Sequence, residues 1–267
     1  MVYRTTTVLG LALALGCSAA DAQPKPAEEL YDMDTATLPA PAAGSPLDRM
    51  IKSLHARVCI RVDVAPFGYF GSGAGPAGFD VALAAEIVDQ LGIDYKVAIK
   101  PEWVVVTAGE RVRRVQDDAC DFSLSAFSYT RARAAEVATS KVYARTDKVL
   151  VAQAKITRKR PVIGKLEGTT GDTGIAGDER TFRTYQEIIH AMDGGDIDYL
   201  AADRPIAEHL VRSTARPYTV AKTLAANAES YVVAIRKGNA DLVTAVDRAL
   251  ETIARTGRLA LLERRWL

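Results

Sequence analysis

Arg61 is a cation inside an apolar strand, between Ile60 and Val62. A charge held there needs a partner, and Asp63 stands two residues on. Thr130-Arg-Ala-Arg133 supplies a second guanidinium, Asp203 a carboxylate, and Ser128 and Gly168-Thr169-Thr170 hydroxyl and amide donors. A guanidinium stays charged at every ordinary pH and grips a carboxylate through two parallel hydrogen bonds. Such groups suit the holding of charged partners. No nucleophile, metal set or paired acid and base stands out for covalent work. Each group also has a plain reading. Arg133 could be a surface side chain after a helix start, Asp203 the cap of a helix beginning at Pro205, Thr170 a turn residue and Ser125 strand packing.

Composition narrows the field. The chain has 267 residues, 48% apolar and 25% charged, with a formal net charge of +1. That is ordinary for a globular protein with one or two cores. Without a long basic run it lacks the footprint of a nucleic-acid binder. The short runs Arg111 to Arg114 and Arg158-Lys-Arg160 read as solvated faces or loops. His55, His190 and His209 show no ligand spacing, so no metal is expected. Arg4 precedes an apolar stretch from Val8 to Leu15, far short of the roughly 20 residues of a membrane span. Residues 1–22 read as a secretory signal ending in Ala20-Asp21-Ala22. Leu15-Gly16-Cys17 is a partial lipoprotein-type box and gives the alternative of a lipid anchor on Cys17. Export would place Cys59 and Cys120 in an oxidising compartment. If their strands are neighbours their sulfurs lie at similar heights, which leaves both a disulfide and two buried thiols open.

The elements that must position these groups alternate. Residues 23–45, rich in Pro and Ala, read as a flexible leader. Ser45-Pro46 starts a helix striped by Leu47, Ile51 and Leu54. A strand spans 57–63, and a Gly/Ser-rich loop leads to a helix at Asp80 with Leu83, Ile87 and Leu91 on one face. Strands follow at 95–99 and 120–127, with a short helix from Arg111 between them. Further strands are expected at 148–154, 162–166, 198–202 and 231–236, and helices at about 181–192 and 205–212. Asn239-Ala-Asp241 caps a long helix carrying Leu242, Val246, Leu250 and Ile253 and stopped by Gly257. Alternation of this kind predicts an α/β protein with a largely parallel sheet, and ligands of such sheets bind at the carboxyl ends of strands.

Several short motifs occur in order: Pro66-Phe67 with Gly78-Phe79-Asp80; Ser128-Tyr-Thr130-Arg-Ala-Arg133; Gly168-Thr169-Thr170; Asp198-Tyr-Leu-Ala-Ala-Asp203; Tyr231-Val-Val-Ala-Ile-Arg-Lys-Gly238; and Gly257 followed by Arg265-Trp266. Together they make the chain from about residue 46 onward resemble the family-3 periplasmic solute-binding proteins of ABC transporters, the amino-acid receptors. The resemblance implies a two-lobe, type II periplasmic-binding-protein-like fold with two hinge strands. Lobe 1 would hold 46–146 and 230–267, and lobe 2 would hold 147–229. It implies a periplasmic, non-catalytic monomer without a cofactor, which captures an amino acid and hands it to a membrane permease. Arg133 would bind the ligand's carboxylate, aided by Ser128 and by Thr170 near a helix start. Asp203 and the carbonyl of Ala126 would take its ammonium.

The side-chain pocket follows the family less closely. Val64 stands where an aromatic is usual, which leaves Phe67, Tyr69 or Phe127 to line the pocket. Arg61 occupies a place similar to that of an arginine in acidic-amino-acid receptors, and Thr107-Ala-Gly-Glu-Arg111-Val112 resembles a motif of that subgroup. Glutamate or aspartate is therefore the expected ligand. Only 24 residues separate Thr170 from Gly195, fewer than in the family, so the helix after Thr170 should be short or irregular. Two other functions fit the scaffold. One is a dehydratase resembling the cyclohexadienyl dehydratases, with Glu167 as candidate acid; the other is an accessory or sensor protein.

Overall fold

A computed structural model describes residues 38–267, except residues 74, 154–155 and 171–172 and the side chains of 225–227. The signal segment, Cys17 and most of the leader lie outside the described residues. The described end of the leader, 38–45, is docked rather than free. The Tyr95 hydroxyl donates to the Pro39 carbonyl at 2.9 Å, and the Ala42 amide donates to Asp241 at 2.9 Å.

Helix α1 (Pro46–Ser53) starts as expected, with the Ser45 hydroxyl accepting from the Asp48 amide and proline in the first turn. Next come β1 (His55–Ile60) and a small antiparallel sheet of β2 (Asp63–Val64), β3 (Gly68–Phe70) and β4 (Pro76–Ala77). Helix α2 (Phe79–Tyr95) is entered through Gly78, which has φ +129°. A Cβ on Gly78 would lie 2.3 Å from the Phe67 carbonyl oxygen, so only glycine lets the helix start fold over the Pro66–Phe67 loop.

The second strand is displaced from its expected place. Helix α2 runs through Tyr95, and the strand is β5 (Lys100–Val105). It lies at the sheet edge, where Pro101's missing N–H costs little. Then follow α3 (Arg111–Gln116), β6 (Phe122–Leu124) and α4 (Arg131–Glu136). Strand β1 pairs in parallel with both β5 and β6.

Two long strands organise the rest: β7 (Ala138–Ala152), 15 residues, and β11 (Thr219–Ile235), 17 residues. They run antiparallel along almost their whole length. Between them in sequence come β8 (Val162–Leu166), β9 (Asp178–Phe182), α5 (Tyr185–Asp193), β10 (Tyr199–Asp203) and α6 (Arg204–Ser213). The sheet order is β5-β1-β6-β11-β7-β10-β8-β9. Strand β6 pairs with the last residues of β11, and β10 with the last residues of β7. The long pair thus carries one half-sheet at each end.

In the second half, the segment after Thr170, expected to be short or irregular, is irregular over the described residues 173–177. Strand β9 then takes 178–182, including the first two residues of the helix expected at about 181–192. Thr184 then caps α5 by accepting from the Glu187 amide.

Helices α7 (Ala240–Arg255) and α8 (Arg258–Trp266) close the chain. Leu83, Ile87 and Leu91 of α2 and Leu242, Val246, Leu250 and Ile253 of α7 are all buried in one core. Each such side chain contributes about 1.5–3 kcal/mol. The side chain of Asn239 does not cap α7; it donates to the Arg236 carbonyl, while Asp241 holds Ser45 at 2.6 Å. On the other face of β1, Cys59 and Cys120 are joined by a disulfide with Cα atoms 5.6 Å apart, within a small cluster that includes Val115 and Phe127.

Candidate functional site

The first turn of α2 places Asp80 in the core, only 2% exposed. It accepts from the Ala126 amide at 2.5 Å and from the Tyr143 hydroxyl at 3.0 Å. Burial pushes its carboxyl up to about 6, against these hydrogen bonds and the nearby Arg61 and Arg111 cations. Ala126 is held at φ +47° and is among the residues that line the cavity described below. Its carbonyl accepts from Arg111 at 2.8 Å, as does the Ser125 carbonyl.

Arg111 is the residue that sequence reasoning misplaced. Instead of lying on a solvated face it is 1% exposed. It donates to the Ala108 carbonyl at 2.9 Å and to the Gly168 carbonyl at 2.9 Å, besides Ser125 and Ala126. Burial, with the Arg61 and Arg133 cations close by, lowers its pKa to about 9. The signal that could have found it is the i,i+4 spacing to Val115, the other buried residue of α3.

Thr130 caps α4 by accepting from the Arg133 amide at 3.1 Å, which fixes the start of Arg133's helix. The Arg133 guanidinium reaches across to the Ser128 carbonyl and the Gly168 carbonyl, each at 2.8 Å. Both guanidiniums lie over the Phe127 ring, Arg111 at 5.2 Å and Arg133 at 4.8 Å from its centroid. Both guanidiniums thus converge on one carbonyl oxygen, that of Gly168. This glycine has φ +72°, and a Cβ there would lie 2.6 Å from the Gly109 amide nitrogen. Among the described residues, neither Arg111 nor Arg133 has a carboxylate within ion-pair distance.

Acidic groups gather across the cleft. Asp203 occupies the cap position of α6 but makes no capping hydrogen bond. Its carboxylate instead lies 3.4 Å from the Lys148 ammonium and accepts from the Tyr231 hydroxyl. Lys148 also lies 3.2 Å from Glu229 and donates to the Thr170 carbonyl and hydroxyl. Thr170 in turn donates to Glu229 at 2.6 Å. Burial raises the Asp203 carboxyl, although Lys148 and Tyr231 oppose this. For Glu229 burial is outweighed, and hydrogen bonds from Ser128 and Thr170 with the charge of Lys148 hold its carboxyl below the usual range. Thr170 therefore belongs to this acidic corner.

The remaining space is a narrow cavity of about 20 Å³, lined by Arg61, Arg111, Ser128, Lys148, Thr170 and Asp203 among others. It has room for roughly one water molecule. Arg61 is held by Asp63 through two hydrogen bonds, at 2.9 and 3.1 Å. Phe67, expected at the ligand, is a core residue, 1% exposed and packed edge-on against Phe79 and Tyr231. Ser125 is buried, its hydroxyl bonded to that of Ser123. Glu167 is exposed and is not among the groups lining the cavity. Among the described residues no cluster could hold a metal ion, and no helix is long and apolar enough to cross a membrane.

The fold recurs in known proteins. The chain is 24% identical over 228 residues to the ABC transporter glutamine-binding protein GlnH of Bacillus subtilis (strain 168), covering 78% of this chain and 79% of that one. The solute receptor for L-cysteine of Neisseria gonorrhoeae has the same fold, with TM-score 0.71 and 26% identity over 83% of this chain and 93% of that chain. So does AncCDT-1, an ancestral amino acid-binding protein and precursor of cyclohexadienyl dehydratase, with TM-score 0.74 and 23% identity, covering 83% and 99%. The fold is thus a two-lobe α/β architecture joined by hinge strands. Residues 56–267 match the bacterial extracellular solute-binding proteins, family 3, and the chain belongs to that family.

Proposed function

We propose that this protein captures a small carboxylate-bearing solute between its lobes, in the periplasm, and passes it to the membrane permease of an ABC importer. Lobe 1 comprises 46–146 and 230–267, and lobe 2 comprises 147–229, with β7 and β11 as the crossing strands. One observation carries the reading. Arg111 and Arg133 converge on the Gly168 carbonyl with no carboxylate partner of their own among the described residues. A neutral carbonyl balances neither charge. A ligand carboxylate can take that place and gains two charge-assisted forks.

Because Gly168 belongs to one lobe and the arginines to the other, such a ligand bridges the two and favours the closed arrangement. The reading is of a monomeric binding protein without catalysis. An amino acid, acidic ones first, is the member of this ligand class that the sequence favours. The geometry supports the carboxylate of such a ligand through Arg111 and Arg133, and the acidic corner, where two carboxylates face the single ammonium of Lys148, keeps one negative charge in excess for the ligand's ammonium.

Calorimetric titration with a panel of amino acids and other small carboxylates tests the proposal. At least one should bind, and Arg133→Ala should weaken it by about 2–4 kcal/mol, roughly 30- to 1000-fold. Silence across the panel, or equal affinity in the variant, would overturn it.

A further inference from the structure

We infer that Tyr185 is a specificity-determining residue of this cleft, whose hydroxyl donates to an oxygen acceptor on the side chain of the captured ligand. The inference rests on the capture reading above and deepens it. An unpartnered hydroxyl carries it. Tyr143, Tyr218 and Tyr231 are buried, and their hydroxyls donate to Asp80, Asp193 and Asp203 in turn. A buried tyrosine ordinarily finds such a partner. Tyr185 is 8% exposed, yet among the described residues its hydroxyl has no hydrogen-bond partner. It lines the cavity between the arginines and the acidic corner. Local structure puts it there. Thr184 caps α5 by accepting from the Glu187 amide at 3.1 Å, and Tyr185 is the first residue of that helix. Side chains tilt toward the start of their helix, which carries the Tyr185 ring toward the cavity, while Ile188, Ala191 and Met192 are buried in the core behind it.

Arg61 decides what that hydroxyl meets. Of the charges acting on the Tyr185 hydroxyl, Arg61 is the largest, followed by Asp203, Asp63 and Arg111. Arg61 is 2% exposed and lines the same cavity. It binds both carboxylate oxygens of Asp63 through Nε and Nη2. Its other terminal nitrogen, Nη1, carries two protons and has no acceptor among the described residues. The cavity thus presents one spare donor group from each lobe, the hydroxyl of Tyr185 and Nη1 of Arg61. A side-chain carboxylate or amide oxygen supplies the missing acceptor. A hydrocarbon side chain leaves both donors unpaired, and a basic side chain meets the Arg61 cation.

Matched amino acids test the inference by calorimetry: L-glutamate and L-glutamine against L-norvaline, and L-aspartate and L-asparagine against L-α-aminobutyrate. Within each set the side chains are of similar length, and only the first two members end in an oxygen-bearing group. At least one such member should bind the unaltered protein about tenfold or more tightly than its hydrocarbon counterpart. Tyr185→Phe removes a single oxygen and should narrow that preference by about fivefold or more. Without ligand, the same variant should melt no lower than the unaltered protein, because it gives up no hydrogen bond. A preference unchanged in Tyr185→Phe would overturn the inference, as would a ligand-free melting temperature lowered by several degrees. Tighter binding of hydrocarbon or basic amino acids by the unaltered protein would overturn it too. Each of these results leaves capture itself standing. Silence from these probes and from the wider panel of amino acids and carboxylates would remove both readings.

Discussion

Replacing Gly168 by alanine should part the walls of the cleft. The carbonyl of this residue receives Arg111 at 2.9 Å and Arg133 at 2.8 Å. A Cβ on it would lie 2.6 Å from the Gly109 amide nitrogen and 2.7 Å from the Ala108 carbonyl carbon. Those are backbone atoms, which cannot rotate aside, so residue 168 must withdraw by about 0.8 Å to reach ordinary contact. Both charge-assisted hydrogen bonds then fail, at about 1.5–3 kcal/mol each. The joined arrangement should lose about 3–6 kcal/mol relative to the parted one. A ligand carboxylate that takes the place of the Gly168 carbonyl does not use those two bonds, so the effect is on the closure of the ligand-free protein. The left-handed alanine costs a further 1–2 kcal/mol or so of overall stability. Small-angle scattering of the ligand-free protein should show a larger radius of gyration. Gly195→Ala is the control, since its φ of +75° is similar but a Cβ there meets nothing within 4 Å. It should lower the melting temperature by a few degrees and leave scattering unchanged. Ligand-free scattering equal to wild type in Gly168→Ala would refute the reasoning.

Two further outcomes follow from the core. Because Asp80 titrates at about 6 when folded and near 3.8 as a free side chain, the native state binds the proton more tightly. Its stabilising contribution is complete below about pH 4 and is lost as pH rises through 6, amounting to about 3 kcal/mol. The melting temperature of Asp80→Asn relative to wild type should therefore rise by roughly 6–12 °C between pH 4 and pH 7, and parallel curves would contradict the assignment. Reducing the bond between Cys59 and Cys120, 61 residues apart in sequence, should destabilise the fold by about 4 kcal/mol. Calorimetry with and without reductant checks this, together with thiol labelling, which should find both cysteines unreactive before reduction.

Much of the architecture was legible because hydrophobic spacing is a local property. The stripes Leu83-Ile87-Leu91 and Leu242-Val246-Leu250-Ile253 identify helices whatever they pack against, and both are buried as their spacing requires. Boundaries were less legible. Tyr95 to Ile99 has strand composition, yet the helix continues through Tyr95 to an αL cap at Lys96, whose amide bonds back to Gly92 and Ile93. Residues 178–182 are mostly polar and exposed and give no strand signal of their own; they become β9 because the edge of β8 offers them partners.

The sequence by itself determined the α/β class, the order of elements, and the identity of Arg133 and Asp203 as charges near a strand end. Those follow from residue types and spacings that act within a few positions. The tertiary structure alone decided which charges meet. It buried Arg111 beside Arg133, turned the Ala126 carbonyl onto a guanidinium, and set Lys148 between Asp203 and Glu229. Residues 111, 133, 148, 203 and 229 are far apart along the chain. Their electrostatic balance depends on distances of a few ångströms in a poorly solvated cleft, and the packing of the two long strands sets those distances.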